Sequence, residues 1–216
     1  MNDSGVFITF EGGEGSGKST QIGLLASRLE ARGVPVRTLR EPGGTAVGEA
    51  VRAILLDPDH AGLDDTAEIL LYEAARAQLV AEVIEPALEA GEVVLCDRFC
   101  DSTTAYQGYA RGISLPRVAV LNRAATGGLS PGRTIVLDIA PVLGIARATT
   151  EGADRLEAED LAFHERVRAG FLAIADVEPD RVRVVDASGD VGEVANLVSA
   201  ALSDIPQLAE ALGGRQ

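Results

Sequence analysis

A single lysine, Lys18, stands against eighteen arginines in this chain of 216 residues. It falls in Gly12-Gly13-Glu14-Gly15-Ser16-Gly17-Lys18-Ser19-Thr20, which fits the phosphate-binding pattern G-x-x-x-x-G-K-[ST]. In such a loop glycines let successive backbone N–H groups converge on phosphate oxygens. The lysine reaches the outer phosphates of a nucleoside triphosphate, and the following hydroxyl, here Ser19, ligates Mg²⁺. A compact ammonium fits that loop where the planar fork of arginine does not. The flanks agree with the motif. Val6 to Phe10 is a β-prone apolar run, and Gln21 to Leu29 has helical spacing, so a strand feeds the loop and a helix N-terminus receives the phosphate.

Further chemistry-bearing residues follow other apolar runs. Arg40-Glu41-Pro42-Gly43-Gly44-Thr45 comes after Val36 to Leu39, and Asp97-Arg98-Phe99 comes after Val93 to Cys96. A carboxylate at the end of an apolar strand suits the second Mg²⁺ ligand of a phosphate-loop enzyme. Asp138 matches that crude pattern too; Asp97 is preferred because Arg98 beside it offers a cation to a second phosphate. Tyr72 and Arg76 lie one helical turn apart, spaced either to stack on a base and bond its edge or to pack on each other. Gln107, in Asp101 to Gly108, carries both a donor and an acceptor for a base edge. His60 and His164 have no partners at catalytic spacing. Cys96 and Cys100 are too few for a disulfide framework and lack the companions of a metal site.

These residues need a scaffold that gathers strand ends. Near-continuous apolar runs at Val6–Glu11, Val36–Leu39, Val93–Asp97, Thr134–Asp138 and Val182–Asp186 predict strands covered on both faces of a parallel sheet. Helical stretches between them begin at Lys18 and near Ala46, Asp65, Leu115, Val142, Glu157 and Val191. The alternation predicts one α/β domain over residues 1–216, with ligands in the crevice at the strand ends. Pro86 is expected to kink or end the helix that starts near Asp65, and residues 212–216 to fray. The polar stretch 149–154 is the expected mobile segment.

The net charge of −14 opposes nucleic acid and anionic membranes as partners, so phosphate attraction has to be local. No apolar run is long enough to span a bilayer and no signal-like start is present, which predicts a cytoplasmic protein. A regulatory GTPase would need Asn-Lys-x-Asp for guanine, impossible when Lys18 is the sole lysine.

Taken together, Phe10 to Thr20, Arg40 to Thr45, Leu71 to Gln78, Asp97-Arg98-Phe99 and Ala105-Tyr106-Gln107-Gly108 closely resemble the bacterial thymidylate kinases in order and spacing. The resemblance runs from about residue 7 to about 186. It implies the P-loop NTPase fold with a five-stranded parallel sheet, ATP as donor, dTMP as acceptor, Mg²⁺ held at Ser19 and Asp97, and a homodimer. It places Arg40 and Arg98 on the dTMP phosphate and Tyr72 against thymine. Arg76, Ser102 and Gln107 take the base edge, Tyr106 crowds the sugar 2′ position, and Glu14 lies near the acceptor sugar. The family's bacterial branch has an arginine-rich lid; here residues 147–157 keep only Arg147 and Arg155. Catalytic charge is therefore expected from Lys18, Arg98 and one of these two, with Arg155 favoured by its place at the lid exit.

Overall fold

In the computed structural model, which describes residues 5–148 and 155–213, five strands form one parallel sheet in the order β2-β3-β1-β4-β5. They are β1 (Val6–Glu11), β2 (Val36–Arg40), β3 (Val93–Asp97), β4 (Arg133–Asp138) and β5 (Val182–Asp186). The pairing register is what assembles a site. Asp97 on β3 lies opposite Phe10 on β1 and Arg40 on β2, so three strand ends open at one level.

Ten helices cover the sheet among the described residues. They are α1 (Lys18–Glu30), α2 (Ala46–Leu56), α3 (Asp65–Leu79), α4 (Glu85–Glu89), α5 (Cys100–Thr103), α6 (Leu115–Thr126), α7 (Pro141–Ala148), α8 (Leu161–Val177), α9 (Val191–Ala201) and α10 (Pro206–Leu212). In α1, Ile22, Leu25, Ala26 and Leu29 recur at helical spacing and are buried against Ile8, Phe10, Val93 and Leu95 from the sheet. Each such side chain contributes about 1.5–3 kcal/mol by leaving water. Opposite faces are filled by Phe163, Val167 and Phe171 of α8 on Val136, and by Leu79, Val80 and Ile84 on Phe7, Val94 and Phe99.

The sequence expectation of strands covered on both faces holds for β1, β3 and β4. It fails for β2 and β5, which are edge strands with exposed positions. Pro86 does not stop its helix. Val80–Ile84 widens into a π turn, in which the Glu85 N–H bonds the Val80 carbonyl, and α4 continues with the proline in its first turn, where no N–H is needed. The helix expected near Glu157 starts four residues later, where the Asp160 side chain accepts from the Phe163 N–H at 2.7 Å and caps α8. Leu212 is not frayed; it closes α10 and is buried. Helical elements not foreseen are the 3-10 turn Pro58–His60, α5 with the π turn Thr104–Ala110 that prolongs it, and α10. The stretch 149–154 lies outside the described residues.

Candidate active site

Glycine at two positions of the phosphate loop is a packing requirement. Gly12 has φ 135°, and a Cβ there would sit 2.5 Å from the Leu137 carbonyl; Gly15 has φ 62°, and its Cβ would sit 2.0 Å from the Gly144 carbonyl of α7. Neither leaves room for a side chain. Gly17, left-handed at φ 88°, turns the chain into α1 with no side-chain cap, so the first N–H groups of the helix face the crevice. Lys18 is buried in the loop and donates to the Gly12 carbonyl (3.1 Å), the Gly13 carbonyl (2.9 Å) and Ser16 Oγ (3.3 Å). Burial first, and then Arg98, pull its ammonium below the ordinary lysine range, while Glu14 and Asp97 oppose that pull.

Ser19 Oγ donates to Asp97 Oδ2 at 2.8 Å. This pair offers two hard oxygen donors at the mouth of the loop, a set that fits Mg²⁺ with its remaining positions filled by water and phosphate oxygens. No group of three or more His, Cys, Asp or Glu able to hold a metal occurs among the described residues.

Arg98 is the only non-glycine with positive φ (70°) among the described residues. That conformation costs about 1–3 kcal/mol and persists only when its surroundings enforce it. Here they do. Glu11 accepts from the Phe99 N–H (2.8 Å) and from Ser102 Oγ (2.5 Å). The guanidinium bonds the Gly12 carbonyl, Ser102 Oγ and Glu14 Oε1, and lies 5.1 Å from the Tyr106 ring centroid. Burial acts to raise Glu14, but Arg98 and Lys18 outweigh it and hold that carboxyl at about 2. Burial, reinforced by Asp101, pushes Glu11 up to about 8.

At the far end, Arg76 is 1% exposed and bonds Glu41, Glu73 and Asn122. Burial raises Glu41 to about 7 despite Arg76 beside it. Gln107 is buried, and its Nε2 donates to Glu68 at 2.8 Å. Tyr106 donates its hydroxyl proton to Glu14 at 2.8 Å. One cavity of about 520 Å³ runs from Lys18 and Ser19 past Arg98 to Tyr72, Arg76 and Gln107. Arg40, half exposed and paired with Glu49, also lines it.

A family profile described as thymidylate kinase matches residues 10–198. The chain belongs to the thymidylate kinase family. It is 52% identical over 199 residues to the thymidylate kinase of Syntrophotalea carbinolica, covering 89% of this chain and 92% of that one. Against the Deinococcus radiodurans thymidylate kinase it is 52% identical over 201 residues, with 93% and 97% coverage. The crystal structure of Ehrlichia chaffeensis thymidylate kinase superposes with a TM-score of 0.76 at 37% identity, covering 93% and 99%. The five-stranded parallel sheet flanked by helices is thus the P-loop NTPase fold of this family.

Most of the expected site residues of this family member line the one cavity: Glu14, Gly15, Gly17, Lys18, Ser19, Thr20, Arg40, Tyr72, Arg76, Asp97, Arg98, Ser102, Tyr106 and Gln107. Two of the expected residues are engaged with neighbouring groups. Ser102 lines the cavity, and its hydroxyl also bonds Glu11 and accepts from Arg98, so it braces the phosphate-side arginine. Arg155 does not line the cavity. It is buried, donating to the Leu55 carbonyl (2.8 Å) and paired with Glu68 (2.5 Å). Arg147 does not line the cavity either; it is exposed beside the loop, bonding the Ala187 and Ser188 carbonyls. The buried acids Glu11, Glu41, Glu68 and Glu73 had no assigned part. Glu73, three residues before Arg76, was detectable from helical spacing, and Glu11 from being an acid at the end of an apolar strand. Burial raises the thiols of Cys96 and Cys100, so neither is poised as a nucleophile.

Proposed function

We propose that the chain transfers the γ-phosphoryl group of ATP to dTMP, giving dTDP. The observation that carries this reading is the continuity of one cavity from the lysine of the phosphate loop to a buried arginine and glutamine, with Arg98 between them. A nucleoside monophosphate laid along it would place its base at Tyr72, Arg76 and Gln107 and its phosphate at Arg98 and Arg40, facing the triphosphate over Lys18.

The attacking group is a phosphate oxygen, already anionic at neutral pH, so no general base is required. Consistently, Glu14 is held at about 2 and engaged by Arg98 and Tyr106, which makes it a poor base. The obstacle is repulsion. Unit charges at 4 Å interact by about 4 kcal/mol at an effective dielectric of 20, so two dianions face on the order of 10 kcal/mol. Lys18 offsets this at the donor, Arg98 and Arg40 at the acceptor, and α1 presents its N-terminal N–H groups to the phosphates. Mg²⁺, when held by Ser19 and Asp97, supplies further positive charge at the β- and γ-phosphates. Of the two arginines flanking the lid, Arg147 stands beside the loop, since a Cβ on Gly15 would lie 3.2 Å from its own Cβ. We assign it the charge of the transferred group.

The reading extends to a homodimer in the cytoplasm. Val47 and Ile54 on α2, Leu70 on α3 and Val120 on α6 leave apolar surface exposed on three helices packed side by side, which suits a partner subunit. No helix among the described residues is long and apolar enough to cross a membrane. An ADP-release assay with dTMP, dUMP, GMP, AMP and thymidine tests the activity. dTMP should be the best acceptor and thymidine inert. Faster turnover of thymidine or GMP would refute the assignment.

A further inference from the structure

We propose that Glu68 is a positioning residue for base selection: it locks the side-chain amide of Gln107 so that only a hydrogen-bond acceptor faces the base. The inference rests on the dTMP reading above. Glu68 lies behind the site. It is fully buried, absent from the cavity wall, accepts from Gln107 Nε2 at 2.8 Å and from Arg111 Nε and Nη2 at 3.5 Å, and forms an ion pair with Arg155 at 2.5 Å. Those arginines are themselves fixed. Arg155 is tied to the Leu55 carbonyl; Arg111 pairs with Glu159 at 2.6 Å and lies 4.7 Å from the Phe163 ring centroid.

A carboxylate paired in this way accepts and does not donate, so it can take only the NH₂ end of the neighbouring amide. Turning Gln107 round would set its oxygen against a carboxylate oxygen where both side chains are buried, leaving two buried acceptors facing each other. The carbonyl Oε1 is therefore the end left for the cavity. Arg76 adds the complementary group. Its Nε donates to Glu41 and its Nη1 to Glu73 and Asn122, while Nη2 lies 2.8 Å from the same Glu41 oxygen, so Nη2 holds the N–H left for the cavity.

One donor next to one acceptor matches the thymine edge, where the O4 acceptor adjoins the N3–H donor. Cytosine inverts both groups, with an N4 amino donor beside an N3 acceptor. It would set N–H against N–H at Arg76 and lone pair against lone pair at Gln107. Sites that reject a base by leaving buried polar groups unpaired discriminate strongly. The same carboxylate is also paired with Arg155, so the turn that holds Arg155 shares an anchor with the base-reading amide.

The test is Glu68→Gln. A neutral amide at 68 can donate as well as accept, so the orientation of Gln107 is no longer enforced. The ratio of kcat/KM for dTMP over dCMP should fall about tenfold or more, through a higher KM for dTMP, with kcat and the KM for ATP within about twofold of the parent. A purely structural role for Glu68 lowers Tm and leaves that ratio unchanged. A folded variant with the parental ratio, or a parent enzyme that does not prefer dTMP to dCMP, overturns the inference. A parent enzyme inactive on dTMP overturns the functional reading itself. Should Glu68→Gln fail to fold, neutron diffraction of the parent with dTMP decides: deuterons of Gln107 directed at Glu68 support the lock, and deuterons directed at the base refute it.

Discussion

The two ends of the cavity solve the same problem, holding a charged or polar group ready for a ligand, in opposite ways. At the phosphate end the fixed parts are backbone. Gly12 and Gly15 let the loop fold tightly, and Lys18 rests on carbonyls and a hydroxyl of that loop, neutral partners that it can give up to phosphate. At the base end the fixed parts are ion pairs. Arg76 is clasped by Glu41 and Glu73, and Gln107 by Glu68, which two further arginines approach. Neutral partners permit exchange when the ligand arrives; buried charged partners forbid it, because a carboxylate left without its cation is costly. Arg98 sits between the regimes, bonded both to the Gly12 carbonyl and to Glu14.

The sharpest way to break this contrast is Lys18→Ala. Its partners are neutral, so the variant should fold with near-parental Tm and lose about 10³-fold or more in kcat. Large destabilisation in a denaturant titration would show that Lys18 is as structurally committed as Arg76. Next comes Arg76→Ala, which leaves two buried acids without their cation and should cost about 3 kcal/mol of stability. The KM for dTMP should rise far more than that for ATP; equal rises would deny the separation of the two ends.

Arg147→Ala and Arg155→Ala divide along the same line. The first removes an exposed arginine beside the loop and should lower kcat on the order of a hundredfold with little change in Tm. The second exposes the fault at Glu68. It should cost about 2 kcal/mol of stability, leaving kcat at saturating substrates within tenfold of the parent. The reverse pattern would restore Arg155 as the catalytic arginine.

A further contrast lies in pH dependence. Glu11 and Glu41 have folded pKa values of about 8 and about 7, above the ordinary 4.5. The native state therefore holds protons that the unfolded chain releases, and stability should decline as pH rises from about 4.5 to about 8. Glu14, held at about 2, acts in the other direction; its contribution is complete above 4.5 and lost as pH falls through 2. Glu11→Gln should flatten the fall in Tm between pH 5 and 8. A slope unchanged by that substitution would place the titration elsewhere.

What was legible in the sequence follows the same division. The phosphate loop depends on residues adjacent in the chain, and glycine, lysine and hydroxyl chemistry at fixed spacing announces it. The sheet was legible because Val6–Glu11 and Val93–Asp97 are apolar almost throughout. The base end was only half legible. Tyr72, Arg76 and Gln107 stood out, yet the acids that hold the last two are set by tertiary approach. Nothing in the residues around Arg155 indicates that the Leu55 carbonyl and Glu68 will claim it. Similarly, nothing around Ser102 indicates that the fold brings Glu11 to 2.5 Å from its hydroxyl.

The central claim is that one end reorganises on binding and the other does not. A crystal structure with dTMP and a non-hydrolysable ATP analogue tests it most directly. Lys18 should leave the Gly12 and Gly13 carbonyls for phosphate oxygens, while Arg76 keeps Glu41 and Glu73, and Gln107 keeps Glu68. A complex in which Arg76 or Gln107 abandons its carboxylate, or Lys18 stays on the loop carbonyls, would contradict the account.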